Sequence, residues 1–136
     1  MAAVLAVIIA MVFGLQNGAV YGVQMAFAFL CGAFLSAVAG YMGMTIAVSA
    51  NVRSATAAEE GLNPAFNVAF KAGSVMGLAM VGIAVVGMCV IYLLFRSPQI
   101  VLGFSFGASV LALLAKAGGG IYTKTADIAA DLVGKV

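Results

Sequence analysis

The sequence predicts an all-α integral membrane protein, and three observations support that prediction. Of the 136 residues, 65% are hydrophobic and only 7% are charged. The mean hydropathy of +1.24 is far above that of a water-soluble domain. Three stretches, residues 1–52, 72–95 and 97–115, contain no charged side chain, whereas one bilayer crossing needs about 20 apolar residues. Together these stretches predict four transmembrane helices.

The boundaries of the helices follow from polar residues and prolines. The first uncharged stretch is long enough for two spans, and the polar cluster Gln16-Asn17-Gly18 is the natural break inside it. The four predicted helices cover about residues 1–15, 23–50, 68–95 and 102–124, with an extension of the last beyond the membrane to 136. Pro64 and Pro98 fall in the predicted loops. Because the first helix is short for a full crossing, we expect the chain to be part of a longer protein.

Small residues recur every four positions within the predicted spans. Such rows let two helices approach closely in lipid, so they predict packing seams and not binding sites. The rows are Gly32, Ser36 and Gly40; Gly73 and Gly77; Gly103 and Gly107; and Ser105 and Ser109.

Basic residues are distributed unequally between the two sides of the predicted membrane region. With four crossings, Arg53, Lys71, Lys124 and Lys135 lie on one side and Arg96 lies alone on the other. The positive-inside rule makes the first side cytoplasmic. All four carboxylates lie there as well, namely Glu59, Glu60, Asp127 and Asp131. The net charge of +2 is too small to suggest nucleic-acid binding.

Four charged residues near the C-terminus share one helical face. Lys124, Asp127, Asp131 and Lys135 follow one another at spacings of three, four and four, and we call them the charge stripe. Lysines can neutralise phosphoryl oxygens, and carboxylates are the oxygen ligands that Mg²⁺ prefers. The same spacings also suit two ordinary surface ion pairs, Lys124 with Asp127 and Asp131 with Lys135.

Lys116 interrupts the last apolar segment eight residues before Lys124. At a rise of about 1.5 Å per residue, it lies about 12 Å deeper along the helix. A lysine at this depth either extends its ammonium group to the interface or faces an ion path with an acidic partner. None of the carboxylates is predicted to lie in the membrane, so such a partner would belong to a segment outside this chain.

Residues 118–136, GGGIYTKTADIAADLVGKV, closely resemble the signature of the membrane-integral, ion-pumping inorganic pyrophosphatases. Residues 40–77 are similar to a cytoplasmic loop of that family and the helix ends beside it. The resemblance implies a position at about the second to fifth helices of a sixteen-helix fold. It also implies a homodimer in which the fifth helix helps to surround the active site and the ion channel.

The resemblance implies a role for each charged residue of the segment. Lys124 would contact pyrophosphate, Asp127 and Asp131 would hold it through Mg²⁺, and Lys135 matches a lysine that the family needs for activity. Lys116 stands where the family usually has an arginine in its ion gate. The aspartates that orient the attacking water belong to later helices, so we expect no catalytic residue in these 136 residues and no activity from them alone.

The family pumps either H⁺ or Na⁺, and K⁺ stimulates some of its members; the residues that decide both properties lie outside this chain. Two alternatives from other classes are a small four-span transporter or oligomeric channel, and a structural scaffold packed through its glycine rows. A proton-coupled transporter normally carries a carboxylate inside the membrane, and none is predicted here. We therefore expect an ion-pumping pyrophosphatase whose other helices, lipid surroundings and second subunit complete the site.

Overall fold

The computed structural model describes residues 2–135 as four α-helices joined by very short connections. They are α1 (Ala2–Asn17), α2 (Ala19–Glu60), α3 (Leu62–Phe95) and α4 (Pro98–Gly134). The described residues include no β-strand. Helices α2, α3 and α4 are each long and apolar enough to cross a membrane, and α1 is a shorter apolar helix. The predicted fold class, an all-α integral membrane protein with four helices, is confirmed.

The largest departure from the predicted boundaries concerns residues 51–67, which we expected to form a loop. That expectation was wrong, because α2 continues to Glu60 and α3 begins at Leu62, so that Gly61 alone separates them. Gly61 has a φ of 134°, a conformation that favours glycine. The rest of the segment is rich in alanine and suits a helix. Its polar residues therefore do not mark the ends of the helices.

The other connections are equally short. Gly18 has a φ of 97° and separates α1 from α2 at the predicted break. Arg96 adopts the left-handed conformation at the end of α3, with a φ of 48°. Contrary to the prediction, both prolines lie within helices: Pro98 is the first residue of α4, and Pro64 falls in the first turn of α3. Neither disrupts its helix, because the amide groups of a first turn have no intrahelical acceptor.

Helix α2 packs against the other three helices, and its seam with α4 is very close. A Cβ atom added at Gly32 of α2 would collide with the carbonyl group of Phe104 in α4. A Cβ atom at Gly107 of α4 would collide with the backbone of Phe29 in α2. Two of the predicted small-residue rows therefore contribute to this seam. The row of Gly73 and Gly77 lies in α3 and makes no such contact, since no atom of another described helix lies within 4 Å of either Cβ position.

The order of contacts establishes the direction of each helix. Met25 and Phe29 of α2 face Gly103 and Gly107 of α4, so the two helices run parallel. Helix α3 runs antiparallel to both, because one short connection joins it to each of them. The C-terminal ends of α2 and α4 therefore lie at the same end of the bundle. The charge stripe lies at that end together with the connection between α2 and α3, as the predicted topology requires.

Candidate functional site

The charge stripe lies on a part of α4 that does not pack against the other helices. Lys124, Asp127 and Asp131 belong to α4, and Lys135 forms the turn at its end. Every residue from 112 to 135 is exposed. At about 1.5 Å per residue, this segment extends for about 35 Å. Helical periodicity therefore aligns Lys124, Asp127 and Asp131, and Lys135 follows in the turn at the end of the helix.

One of the two predicted ion pairs is present in the stripe. The Nζ atom of Lys124 lies 4.0 Å from Oδ2 of Asp127, and the two side chains are 79% and 63% exposed. A pair this exposed contributes at most a few tenths of a kcal/mol. Within residues 2–135 it is the single ion pair, so the predicted pair of Asp131 with Lys135 is not formed. Lys135 lies in the turn at the end of α4, at φ −99° and ψ −3°.

The stripe lies beyond the part of α4 that packs against the core. Phe104 is buried in the core with residues of α2 and α3. Lys124 follows twenty residues later in the same helix, which is about 30 Å further along its axis. The ligands of the stripe would approach from outside the four described helices.

The charges of the stripe balance one another. Its two lysines and two aspartates give no net charge, so the attraction for a free polyanion is weak. A complex of a polyanion with divalent cations presents both signs of charge and can interact with all four side chains. The arrangement therefore suits a metal-bound phosphate compound better than a bare anion or a bare metal.

Asp127 and Asp131 could hold a divalent metal only together with other ligands. No group of three or more His, Cys, Asp or Glu residues within the described part of the chain could bind a metal by itself. The two carboxylates lie one turn apart on one face of α4. Mg²⁺ is typically held by one or two carboxylates and completes its octahedral shell with water and phosphate oxygens. The two aspartates fit that requirement.

Lys116 lies where α4 separates from α2 and α3. Its neighbour Ala115 lines a cavity of about 630 Å³ that is bounded by all three helices and includes Tyr41 of α2. The side chain of Lys116 is exposed. None of the carboxylates among residues 2–135 lies within 4.0 Å of its ammonium group. Both alternatives from the sequence, extension to the interface and a partner on another segment, are compatible with this position.

Three consecutive glycines separate Lys116 from the charge stripe. Gly118, Gly119 and Gly120 are helical and exposed, and no atom of another described helix lies within 4 Å of any of their Cβ positions. Glycine is less favourable than alanine inside a helix by about 1 kcal/mol, so the triplet costs α4 about 3 kcal/mol. No tertiary contact within the described structure offsets that cost.

Threonine hydroxyls bond to the backbone of the same segment. Thr123 donates to the carbonyl oxygen of Gly119 at 2.7 Å, and Thr125 donates to that of Ile121 at 3.0 Å. Such hydrogen bonds to the preceding turn slightly destabilise a helix and often bend it. Thr123 is not among the site residues predicted from the sequence, although a threonine can form such a hydrogen bond with the residue four positions before it.

Comparison with known proteins places this chain in a family. The chain is 52% identical over 115 residues to a K⁺-insensitive pyrophosphate-energized proton pump of Methanosarcina mazei, covering 85% of this chain and 17% of that protein. It is 47% identical over 116 residues to a putative K⁺-stimulated pyrophosphate-energized sodium pump of Clostridium tetani, covering 85% and 17%. It is 44% identical over 124 residues to pyrophosphate-energized membrane proton pump 3 of Arabidopsis thaliana, covering 80% and 16%.

The matches cover most of this chain but only a small part of each relative. The chain spans about 17% of the length of the relatives it matches. No solved structure matches it. The family model described as inorganic H⁺ pyrophosphatase matches residues 1–136. Together with identities of 44–52% to three pyrophosphate-energized pumps, this match establishes that the chain belongs to the inorganic H⁺ pyrophosphatase family.

Proposed function

We propose that the full-length protein containing these residues hydrolyses inorganic pyrophosphate at the cytoplasmic face of the membrane and uses the reaction to export H⁺ or Na⁺. The observation that carries the proposal is the family match over residues 1–136. The printed names of the relatives, which describe pyrophosphate-energized pumps, support it. The positive-inside rule supports the cytoplasmic placement, because most basic residues lie at the end of the bundle that carries the stripe.

The charge stripe is the part of the substrate site that this segment would supply. Lys124 and Lys135 would contact phosphoryl oxygens, and Asp127 and Asp131 would hold pyrophosphate through Mg²⁺. The ion supplies neutralisation of the phosphoryl oxygens when it is bound. The balanced charge of the stripe supports this division of roles, since two lysines alone could not offset pyrophosphate while two carboxylates repel it. The exposure of all four residues leaves them available to ligands.

Hydrolysis requires groups that lie outside these four helices. The reaction adds one water molecule across the P–O–P bridge and yields two phosphate ions, with the attacking water in line with the leaving oxygen. The resemblance assigns the orientation of that water to aspartates of later helices. This segment would therefore bind and position the substrate and would be inactive alone. The exposure of the stripe in the four described helices supports a site completed by other parts of the protein.

Transport would involve Lys116. Its place on α4, about 12 Å from Lys124 along the helix axis, is compatible with an ion gate below the substrate. The printed names of the relatives include both proton and sodium pumps and both K⁺-insensitive and K⁺-stimulated types. The transported ion in this proposal is therefore either H⁺ or Na⁺, and K⁺ is a possible additional cofactor. The full-length protein would act as a homodimer within the lipid bilayer.

The test replaces each aspartate of the stripe in the full-length protein. We expect Asp127→Asn or Asp131→Asn to abolish Mg²⁺-dependent release of phosphate from pyrophosphate, because a neutral amide is a poor ligand for a hard cation. Glu59→Gln is a matched control, since it neutralises an exposed carboxylate at the same end of the bundle. Membrane insertion should be normal in all three variants. Near-normal hydrolysis in both aspartate variants would show that the charge stripe forms only surface ion pairs and does not bind the substrate.

A further inference from the structure

The contact between α2 and α4 is made by backbone atoms of both helices. Gly32 of α2 faces the carbonyl group of Phe104 in α4, and Gly107 of α4 faces the carbonyl group of Phe29 in α2. The contact is reciprocal, because each helix supplies one glycine and one carbonyl group. No side chain therefore separates the two backbones at these points.

The contacts of α3 with the same two helices are of another kind. Gly43 of α2 faces the side chains of Met76 and Met80 in α3. Gly87 of α3 faces the aromatic ring of Phe104 in α4. Methionine has three rotatable side-chain bonds and adapts its shape to its surroundings. The contacts of α3 can thus adjust through side-chain torsions, whereas the contact between α2 and α4 cannot.

We propose that α2 and α4 move as one rigid body against α3 when the full-length protein works. Shear movements in proteins are small slides of packed helices, and side chains at the contact absorb them by torsional changes. A slide between α2 and α4 would move each glycine away from its carbonyl group and bring residues with side chains towards it. It would also separate the hydroxyl of Ser36 from the carbonyl oxygen of Ala108.

The rigid body would include the residue assigned to the ion gate. Lys116 follows Ala108 by eight residues, which is about 12 Å along α4. A step that shifts α4 as a whole would therefore move α2 with it, and the side chains of α3 would accommodate the change. This consequence rests on the proposed function, whereas the rigidity of the seam itself does not.

Two disulfides with matched geometry test the rigid body. A Cβ atom at Gly103 would lie 3.3 Å from Cγ of Met25, and a Cβ atom at Gly43 would lie 3.3 Å from Cγ of Met76. The Cβ atoms of a disulfide are about 3.8 Å apart, so both pairs suit a cross-link. In the full-length protein without other cysteines, Met25→Cys with Gly103→Cys joins α2 to α4, and Gly43→Cys with Met76→Cys joins α2 to α3.

The two cross-links should have opposite effects on turnover and on ion uptake. We expect oxidation of the first pair to leave phosphate release from magnesium pyrophosphate, and ion uptake into vesicles, the same as in the reduced protein. Oxidation of the second pair should lower both activities, and a reductant should restore them. Each single-cysteine variant, treated with the same oxidant, is the control for the substitutions.

Three outcomes would overturn the rigid body. The first is a loss of activity on oxidation of the pair between α2 and α4 that a reductant reverses. The second is full activity with either cross-link, because α3 would then belong to the same body. The third is failure of the first pair to cross-link, which would show that the seam is absent. Failure of the proposed function is distinguishable, since the native and the reduced proteins would then be inactive as well.

Discussion

Ser36 of α2 donates a hydrogen bond to the backbone carbonyl oxygen of Ala108 in α4, with 3.2 Å between the two oxygen atoms. It is the one side-chain hydrogen bond between helices among residues 2–135. Gly32 and Gly107 lie within one turn of these residues and allow the backbones to meet. In an apolar environment such a bond contributes about 0.6 kcal/mol. The hydrogen bond therefore makes only a small contribution to the stability of this crossing.

The seam predicts a large difference between two glycine substitutions. In the full-length protein, Gly107→Ala should lower the free energy of unfolding by about 1–3 kcal/mol, because the new methyl group meets the backbone of Phe29. Gly77→Ala adds the same methyl group where no atom of another described helix lies within 4 Å, and it should cause no loss. Thermal unfolding in detergent measures both. Equal losses would show that the close contact between α2 and α4 does not limit stability.

The second prediction concerns the sides of the membrane. We expect Ser54 to be cytoplasmic and Ser97 to be external, because the basic residues concentrate near the connection between α2 and α3. In the full-length protein without other cysteines, Ser97→Cys should react with an impermeant maleimide added to intact cells, whereas Ser54→Cys should react only after lysis. Reaction of Ser54→Cys in intact cells, with Ser97→Cys protected, would reverse the assigned orientation.

Lys116 leads to a prediction about coupling. If it pairs with a carboxylate of another helix, Lys116→Ala leaves that acid unpaired or forces it to take up a proton. The ratio of ion uptake to phosphate release in reconstituted vesicles should then fall. Lys116→Arg keeps the positive charge and restores the residue usual in the family, so its ratio should remain near native. Lys71→Ala, which removes an exposed lysine of α3, is the control.

An unchanged ratio of ion uptake to phosphate release in Lys116→Ala would show that Lys116 does not take part in the ion path. It would support the simpler role that its exposure allows, in which the ammonium group extends to the membrane interface. A fall in Lys71→Ala as large as that in Lys116→Ala would instead indicate a general effect of positive charge at this end of the bundle.

Most of the candidate site could be predicted from the sequence, because its residues lie close together in the chain and on one helix. Lys124, Asp127 and Asp131 share one face through helical periodicity alone, and the structure places all three on α4. The pair of Lys124 with Asp127 follows from the same periodicity. The pair of Asp131 with Lys135 fails where the helix ends, and a spacing rule carries no information on that ending. The binding roles of the four residues stay predictions.

Composition and local pattern determined the membrane class, the number of helices and the break at Gly18, since each depends on the solvation and backbone preferences of neighbouring residues. Only the tertiary structure decided which glycines form a seam, because Gly107 and Gly77 are alike in sequence and differ only in what approaches them. The same holds for the separation of α4 into packed and exposed parts. These features depend on contacts between residues far apart in the chain, which a local pattern does not specify.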